Sequence, residues 1–317
     1  MTDQSILREI QLAVLGMLRE FDAVCKRNGI RYFAMCGTLL GTVRNQGFIP
    51  WDDDVDLAIL REDFNKLKRL PREEWGEKLE FVTAADDDLR HDHIFPRVYL
   101  KNSRIQSYDD VENWIDPTTG KAWSTGLFLD LYIFERISDN DREYRRTLAM
   151  GAKTERVYKG CKLEANYQTA AGLRKGRRFY RYLYGKIARA IWKTPWRRLD
   201  RRLSARIEAA GKGEQIGCYY APFGIYGGFD SYKLREEDIF PLGRLPFEDM
   251  MVPVPHHTDV CLAKDFGADY MVPPPENNRT HIDFVYADLA DGRVLIVDPI
   301  PGSLGARTTE KQGQERA

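Results

Sequence analysis

Asp54 and Asp56 stand two residues apart in Asp52-Asp53-Asp54-Val55-Asp56-Leu57-Ala58-Ile59, interleaved with apolar side chains. In a strand, positions i and i+2 face one side, so both carboxylates project together while Val55, Leu57 and Ile59 fit a buried opposite face. Two carboxylates held side by side repel each other unless a cation sits between them. Such oxygen ligands suit Mg²⁺, whose shell substrate phosphates usually complete. Upstream, Gly37-Thr38 follows the apolar run Ile30 to Met35. A small-residue turn there would bring backbone N–H groups close to a phosphate, and the combination is the layout of a metal-dependent phosphoryl-transfer site. A solvated turn beginning at Pro50-Trp51-Asp52-Asp53 is the competing reading. Asp52 and Asp53 fit that turn or a brace for the loop, whereas Asp54 and Asp56 sit in a hydrophobic strand pattern that a turn would not need.

Asp130 lies in the apolar run Leu127 to Phe134. Burying an ionised carboxylate there is costly unless something pairs it. A metal shared with Asp54 and Asp56, a general-base role toward an acceptor hydroxyl, and a buried arginine partner are three readings of it. For donor phosphates the candidates are Gly37 and the Thr38 hydroxyl, Arg44 at the end of a short helix, Arg97 in Phe95-Pro96-Arg97-Val98-Tyr99, and His281 beside Arg279. His91 and His93 imitate a metal pair but lack the further Cys or His that a zinc site requires.

Several elements must position these residues. Apolar spacing from Ile6 to Val24 predicts a helix over 4–28 with Gly29 as its cap. A strand over 30–35, the Gly37 turn, a short helix to Arg44 and a strand Asp54–Leu60 follow. A helix over 61–70 is stopped by Pro71. Strands are expected at 79–83, 93–100, 103–108 and 127–134, the second and third joined as a hairpin through Lys101-Asn102. The chain turns helical from 139 to 211, with a break at Pro195, and returns to short strands and Pro/Gly-rich loops from 216.

Gly37 to Arg44 and Gly47 to Asp56 together resemble the signature of the LicD family, whose human relatives are the fukutin-type proteins. The resemblance extends to Asn28-Gly29-Ile30-Arg31-Tyr32, to Phe128–Phe134, to Phe247–Pro255 and to Phe266–Pro274, covering about residues 10–280. It implies an α+β, nucleotidyltransferase-like mixed sheet with flanking helices. It also implies Mg²⁺, with Mn²⁺ as the alternative, held by Asp54, Asp56 and Asp130. The implied activity moves a phospho-alcohol such as phosphocholine from CDP-choline or another CDP-alcohol to a hydroxyl of a glycan or its lipid-linked precursor. Transfer of a nucleotide from a nucleoside triphosphate is the rival within this fold; a non-catalytic membrane- or glycan-binding module is the rival outside enzymes.

The 317 residues carry no net charge, which gives no sign of a nucleic-acid partner. That average conceals thirteen Lys/Arg against one acid between Gly172 and Arg206, a net of +12. Phe179, Leu183, Ile187 and Ile191 share a helical line there, with aromatics close by, the makings of a helix that lies on an anionic membrane surface. Five scattered cysteines contain no Cys-x-x-Cys, and neither an apolar leader nor an 18-residue apolar run occurs. A cytoplasmic protein working at the inner membrane face is the expectation. The expected division is a catalytic core over 1–138, a basic helical insertion over 139–215, the rest of the catalytic domain over 216–301, and a flexible tail over 302–317.

Overall fold

The computed structural model describes residues 3–86, 94–107, 124–163, 195–209, 213–219, 233–276, 279 and 284–296. The first helix, α1 (Asp3–Arg27), buries Ile6, Ile10, Val14, Met17, Phe21 and Val24, the predicted face. It ends in a Schellman turn: Gly29 takes φ +59°, its N–H donates to Lys26 O, and Ile30 N–H donates to Cys25 O. A residue with a Cβ would be strained at that φ, so the glycine sets where the chain turns toward the sheet.

The central sheet is mixed. Strands β1 (Phe33–Ala34), β2 (Asp56–Leu60), β3 (Leu79–Val82), β4 (Arg97–Leu100), β5 (Arg104–Ser107) and β6 (Phe128–Arg136) arise in that chain order. The sheet order is β1-β2-β6-β4-β3, with β7 (Gln215–Gly217) added to β6 and β8 (Leu234–Arg235) to β7. Only β2 and β6 run parallel among these pairs. Helices α2 (Cys36–Asn45) and α3 (Arg61–Leu67) pack on β2, and α1 packs on β3 and β6. This is the expected α+β architecture.

Four details depart from the sequence reading. The strand expected over 30–35 is reduced to two residues, and Asp54 lies just ahead of β2 rather than within it. Helix α3 stops at Leu67, after which Arg69 and Leu70 tighten to i−3 hydrogen bonds before Pro71. The expected β4–β5 hairpin does not form. Lys101-Asn102 does turn, with Asn102 at φ +63°, but β4 pairs with β3 and β6. Strand β5 leaves for a separate sheet with β11 (Phe284–Asp288) and β12 (Val294–Ile296). The turn chemistry was legible; the stronger pairing of β4 with the central strand was not.

Beyond β6, α4 (Asp141–Leu163) and α5 (Pro195–Ala209) lie antiparallel. Tyr158 meets the Trp196 ring at 5.0 Å, and Arg206 Nε donates to Thr147 Oγ1 at the far end. Pro195 opens α5, the first-turn position where its missing N–H costs nothing. Tyr158, Trp196 and Leu203 join the same apolar core as the sheet. The short α6 (Glu236–Ile239), the hairpin of β9 (Gly243–Phe247) with β10 (Met250–Val254), and α7 (Thr258–Phe266) return the chain to α2. Residues 172–194 of the basic segment, His91, His93, His281 and the tail over 302–317 lie outside the described residues.

Candidate active site

The site is built across three adjacent strands. Asp56 of β2 is in register with Asp130 of β6, and Asp130 with Arg97 of β4. In-register residues share a face of the sheet, so backbone pairing alone draws the three side chains into one row. Asp54 reaches the row from the connection before β2. One carboxylate oxygen from each of Asp54, Asp56 and Asp130 lies within 4.8 Å of the others.

Several contacts fix that geometry. Arg97 Nε donates to Asp130 Oδ1 at 2.6 Å, with both side chains more than nine-tenths buried, and the guanidinium lies 3.7 Å from the Phe128 ring centroid. Tyr132, two residues beyond Asp130, donates its hydroxyl to Asp56 Oδ1 at 3.0 Å. The Asp56 N–H donates to Thr38 Oγ1 at 2.8 Å, the Met35 N–H to Asp56 O, and the Asp130 N–H to Val55 O. Gln11 of α1, itself buried, donates to Asp52 O at 2.8 Å and so holds the approach loop.

Gly37 and Thr38 belong to the first turn of α2 rather than to a turn preceding it. The Gly37 N–H donates to the Asp56 carboxylate. A Cβ at Gly37 would stand 2.6 Å from Asp52 Oδ2 and 3.7 Å from Asp56 Oδ2, so its absence lets the carboxylates close on the helix end. Thr38 accepts from Asp56 and keeps its own hydroxyl hydrogen to donate. Arg97, expected as a phosphate ligand, pairs through Nε with Asp130. That arginine partner was one of the three readings of Asp130, and it coexists with the carboxylate cluster.

The electrostatics are unfavourable without a cation. Burial first, then the charge of Asp56, pushes Asp54 well above the ordinary carboxylate range; burial and then Asp130 do the same to Asp56. Burial also pushes Asp52 up to about 6, and burial with Asp52 beside it pushes Asp53 up to about 7. The turn at Pro50-Trp51 does form, closed by the Asp52 N–H donating to Ile49 O, but Asp52 and Asp53 are half-buried beside the three carboxylates rather than fully solvated. A small hard divalent ion fits this oxygen donor set, because it would offset the repulsion that burial strengthens.

Arg44 stands apart from the carboxylates. Its Nη1 donates to Tyr270 O at 3.2 Å, and its guanidinium lies 5.8 Å from the centroid of Trp51. Arg279 lies 4.7 Å from the same centroid. Sequence reasoning missed Tyr132 as a polar partner, although its spacing of two from Asp130 was the available signal. It named Arg279 only as the neighbour of His281, and no local pattern joins Arg279 to Arg44.

Known proteins share parts of this sequence. Residues 29–141 match the family described as LicD/FKTN/FKRP, nucleotidyltransferase domain. The chain is 25% identical over 287 residues to the lipopolysaccharide cholinephosphotransferase LicD of Haemophilus influenzae, covering 88% of this chain and 97% of that one. It is 38% identical over 126 residues to the human ribitol 5-phosphate transferase FKRP, covering 33% of this chain and 24% of that one. All three carboxylates, Arg97 and Tyr132 fall inside the stretch, residues 29–141, that matches this nucleotidyltransferase-domain family.

Proposed function

We propose that this protein is a phosphotransferase that moves a phospho-alcohol, phosphocholine in the first instance, from a CDP-alcohol to a hydroxyl of a cell-surface glycan or its lipid-linked precursor. The observation that carries the reading is the cluster of Asp54, Asp56 and Asp130, two of them buried and Asp54 half-buried, with one oxygen of each within 4.8 Å of the others, inside the stretch that matches the family. The likeness to a cholinephosphotransferase and a ribitol 5-phosphate transferase supports transfer of a phospho-alcohol over transfer of a nucleotide.

In the proposed reaction the acceptor O–H bond breaks and an oxygen–phosphorus bond forms. The bond from that phosphorus to CMP breaks, and CMP leaves with the electron pair. Asp54 and Asp56, with Asp130, would hold Mg²⁺ or Mn²⁺, which supplies charge neutralisation to the donor diphosphate and the departing CMP. Tyr132 and the Gly37 N–H orient Asp56, and Arg97 orients Asp130. Asp130 serves either as the third ligand or as the base that accepts the hydroxyl proton. Gly37, Thr38, Arg44 and Arg97 are the described donor-phosphate candidates, and His281 completes that proposal from outside the described residues.

Contact with an anionic membrane is the accompanying proposal. No described helix is long and apolar enough to cross a membrane. Helix α5 nevertheless exposes Arg198, Arg201 and Arg202 along one face, and α4 exposes Arg142, Arg146, Lys153 and Arg156 along another. Such rows suit attachment to a surface that carries lipid-linked acceptors, on the cytoplasmic side. CMP release from CDP-alcohols, set against pyrophosphate release from nucleoside triphosphates, tests the reaction. Cleavage of triphosphates alone would replace this reading with nucleotidyl transfer. Cleavage of neither, with glycan binding intact, would leave a binding module.

A further inference from the structure

We propose that Arg44 and Arg279, both held against the Trp51 indole, form a second subsite that binds a phosphate-class oxyanion independently of the metal. The proposal deepens the phosphotransferase reading by giving the substrate a separate anionic anchor.

Arg44 comes from the last turn of α2 and Arg279 from the C-terminal segment, 235 residues later in the chain. Their guanidiniums lie 5.8 and 4.7 Å from the centroid of one ring. Each cation is held in place from behind by a carbonyl. Arg44 Nη1 donates to Tyr270 O at 3.2 Å and Arg279 Nε to Pro274 O at 3.1 Å. These contacts leave the Nη2 amine of each without a hydrogen bond among the described residues.

Two cations this close oppose each other. Partial burial, and then the charge of Arg279, hold Arg44 below the usual arginine range. Arg44 has no carboxylate partner among the described residues. Arg279 has Glu276 at 3.8 Å, with the glutamate side chain 90% exposed, a contact that solvent screens. An indole face offsets part of the repulsion, since guanidinium on tryptophan is favourable even at exposed sites. An anion bridging both forks would offset the rest, and planar guanidinium forks match phosphate oxygens bidentately.

The position separates this subsite from the carboxylates. Arg44 is seven residues along α2 from Gly37, about 10 Å of helical rise. Trp51 directly precedes Asp52, so the two sites share one continuous wall. A substrate phosphate held by the arginines would therefore lie beside the acidic cluster rather than in it. The group is either the donor's diphosphate or a phosphate of the acceptor, and both present the same chemistry.

The test is calorimetric titration of the full chain with inorganic pyrophosphate in excess chelator, so that the carboxylate site cannot contribute through a metal. The wild type should bind. Arg44→Gln and Arg279→Gln should each weaken binding about tenfold or more, as expected for a lost charge-assisted contact. Asp54→Asn should bind as well as the wild type. Glu276→Gln should bind about twofold more tightly, a gain that a folding defect cannot produce. Competition by CDP-choline that the arginine variants lose assigns the subsite to the donor, and competition by a sugar phosphate assigns it to the acceptor. No pyrophosphate binding in chelator, or binding unchanged in both arginine variants, overturns the proposal. CDP-choline turnover is read separately. Arginine-dependent pyrophosphate binding without turnover would keep the subsite and reject the phosphotransferase reading.

Discussion

At the scale of single residues, the paired spacing of Asp54 and Asp56 was visible in the sequence, and the isolated carboxylate of Asp130 in an apolar strand was visible too. Their meeting depends on strand register, which no local pattern carries. Asp54→Asn or Asp56→Asn should abolish turnover while leaving the melting temperature near or above that of the wild type. Each change removes a buried negative charge that burial and like charges already disfavour. Activity assays paired with thermal melts check this, and near-normal turnover in either variant would contradict a two-carboxylate metal site. Arg97 behaves in the opposite sense. Arg97→Gln leaves Asp130 buried without its cation, a loss expected to cost about 3–5 kcal/mol. Urea unfolding measures it, and a change below about 1 kcal/mol would mean that solvent already reaches the pair.

At the scale of elements, helices and their ends were the most legible feature. Gly29 announced the end of α1 because only glycine takes its φ without strain. Gly41 is required for a different reason. A Cβ there would lie 2.4 Å from Gly47 O and 3.1 Å from Ile49 N, both backbone atoms that cannot rotate away. Gly41→Ala should destabilise by roughly 1–3 kcal/mol by forcing the Gly47–Ile49 loop off α2, detectable as a lowered melting temperature. Strand partners were the least legible, as β4 and β5 show, because pairing depends on residues distant in sequence. Helix α7 offers a pH test. Burial pushes Asp265 up to about 7, and its Oδ2 makes no hydrogen bond among the described residues. An unfolded aspartate ionises near pH 4, so between about 4 and 7 the folded chain retains a proton that the unfolded chain has released. Asp265 therefore lowers stability progressively as pH rises through that window, and the loss levels off above it. The melting temperature of Asp265→Asn relative to wild type should climb from about pH 4 to about pH 7 and then stay flat. A pH-independent difference would show that Asp265 is not held protonated.

At the scale of the whole molecule, the first helix and the β9–β10 hairpin are tied to the site's scaffold. Arg8 of α1 pairs with Glu248 of the β9–β10 turn at 2.6 Å, and Glu248 Oε1 accepts from the Phe48 N–H beyond α2. Zero net charge concealed an asymmetry, since α4 and α5 expose rows of cations while acids gather at the site. Arg198→Glu, Arg201→Glu and Arg202→Glu together should release the protein from anionic vesicles at low salt without changing CDP-alcohol hydrolysis. Co-sedimentation decides it, and a wild type that stays in the supernatant at low salt would leave these arginines as a solvated face. The central claim is reached most directly by measuring CMP release from CDP-choline, with Mg²⁺ and a glycan acceptor, by the wild type and by Asp56→Asn. Phospho-alcohol transfer at the three-carboxylate site predicts Mg²⁺-dependent CMP release that the acceptor accelerates, chelator stops and the variant lacks. CMP release that persists in chelator or in Asp56→Asn, or pyrophosphate release from a nucleoside triphosphate in its place, would contradict it.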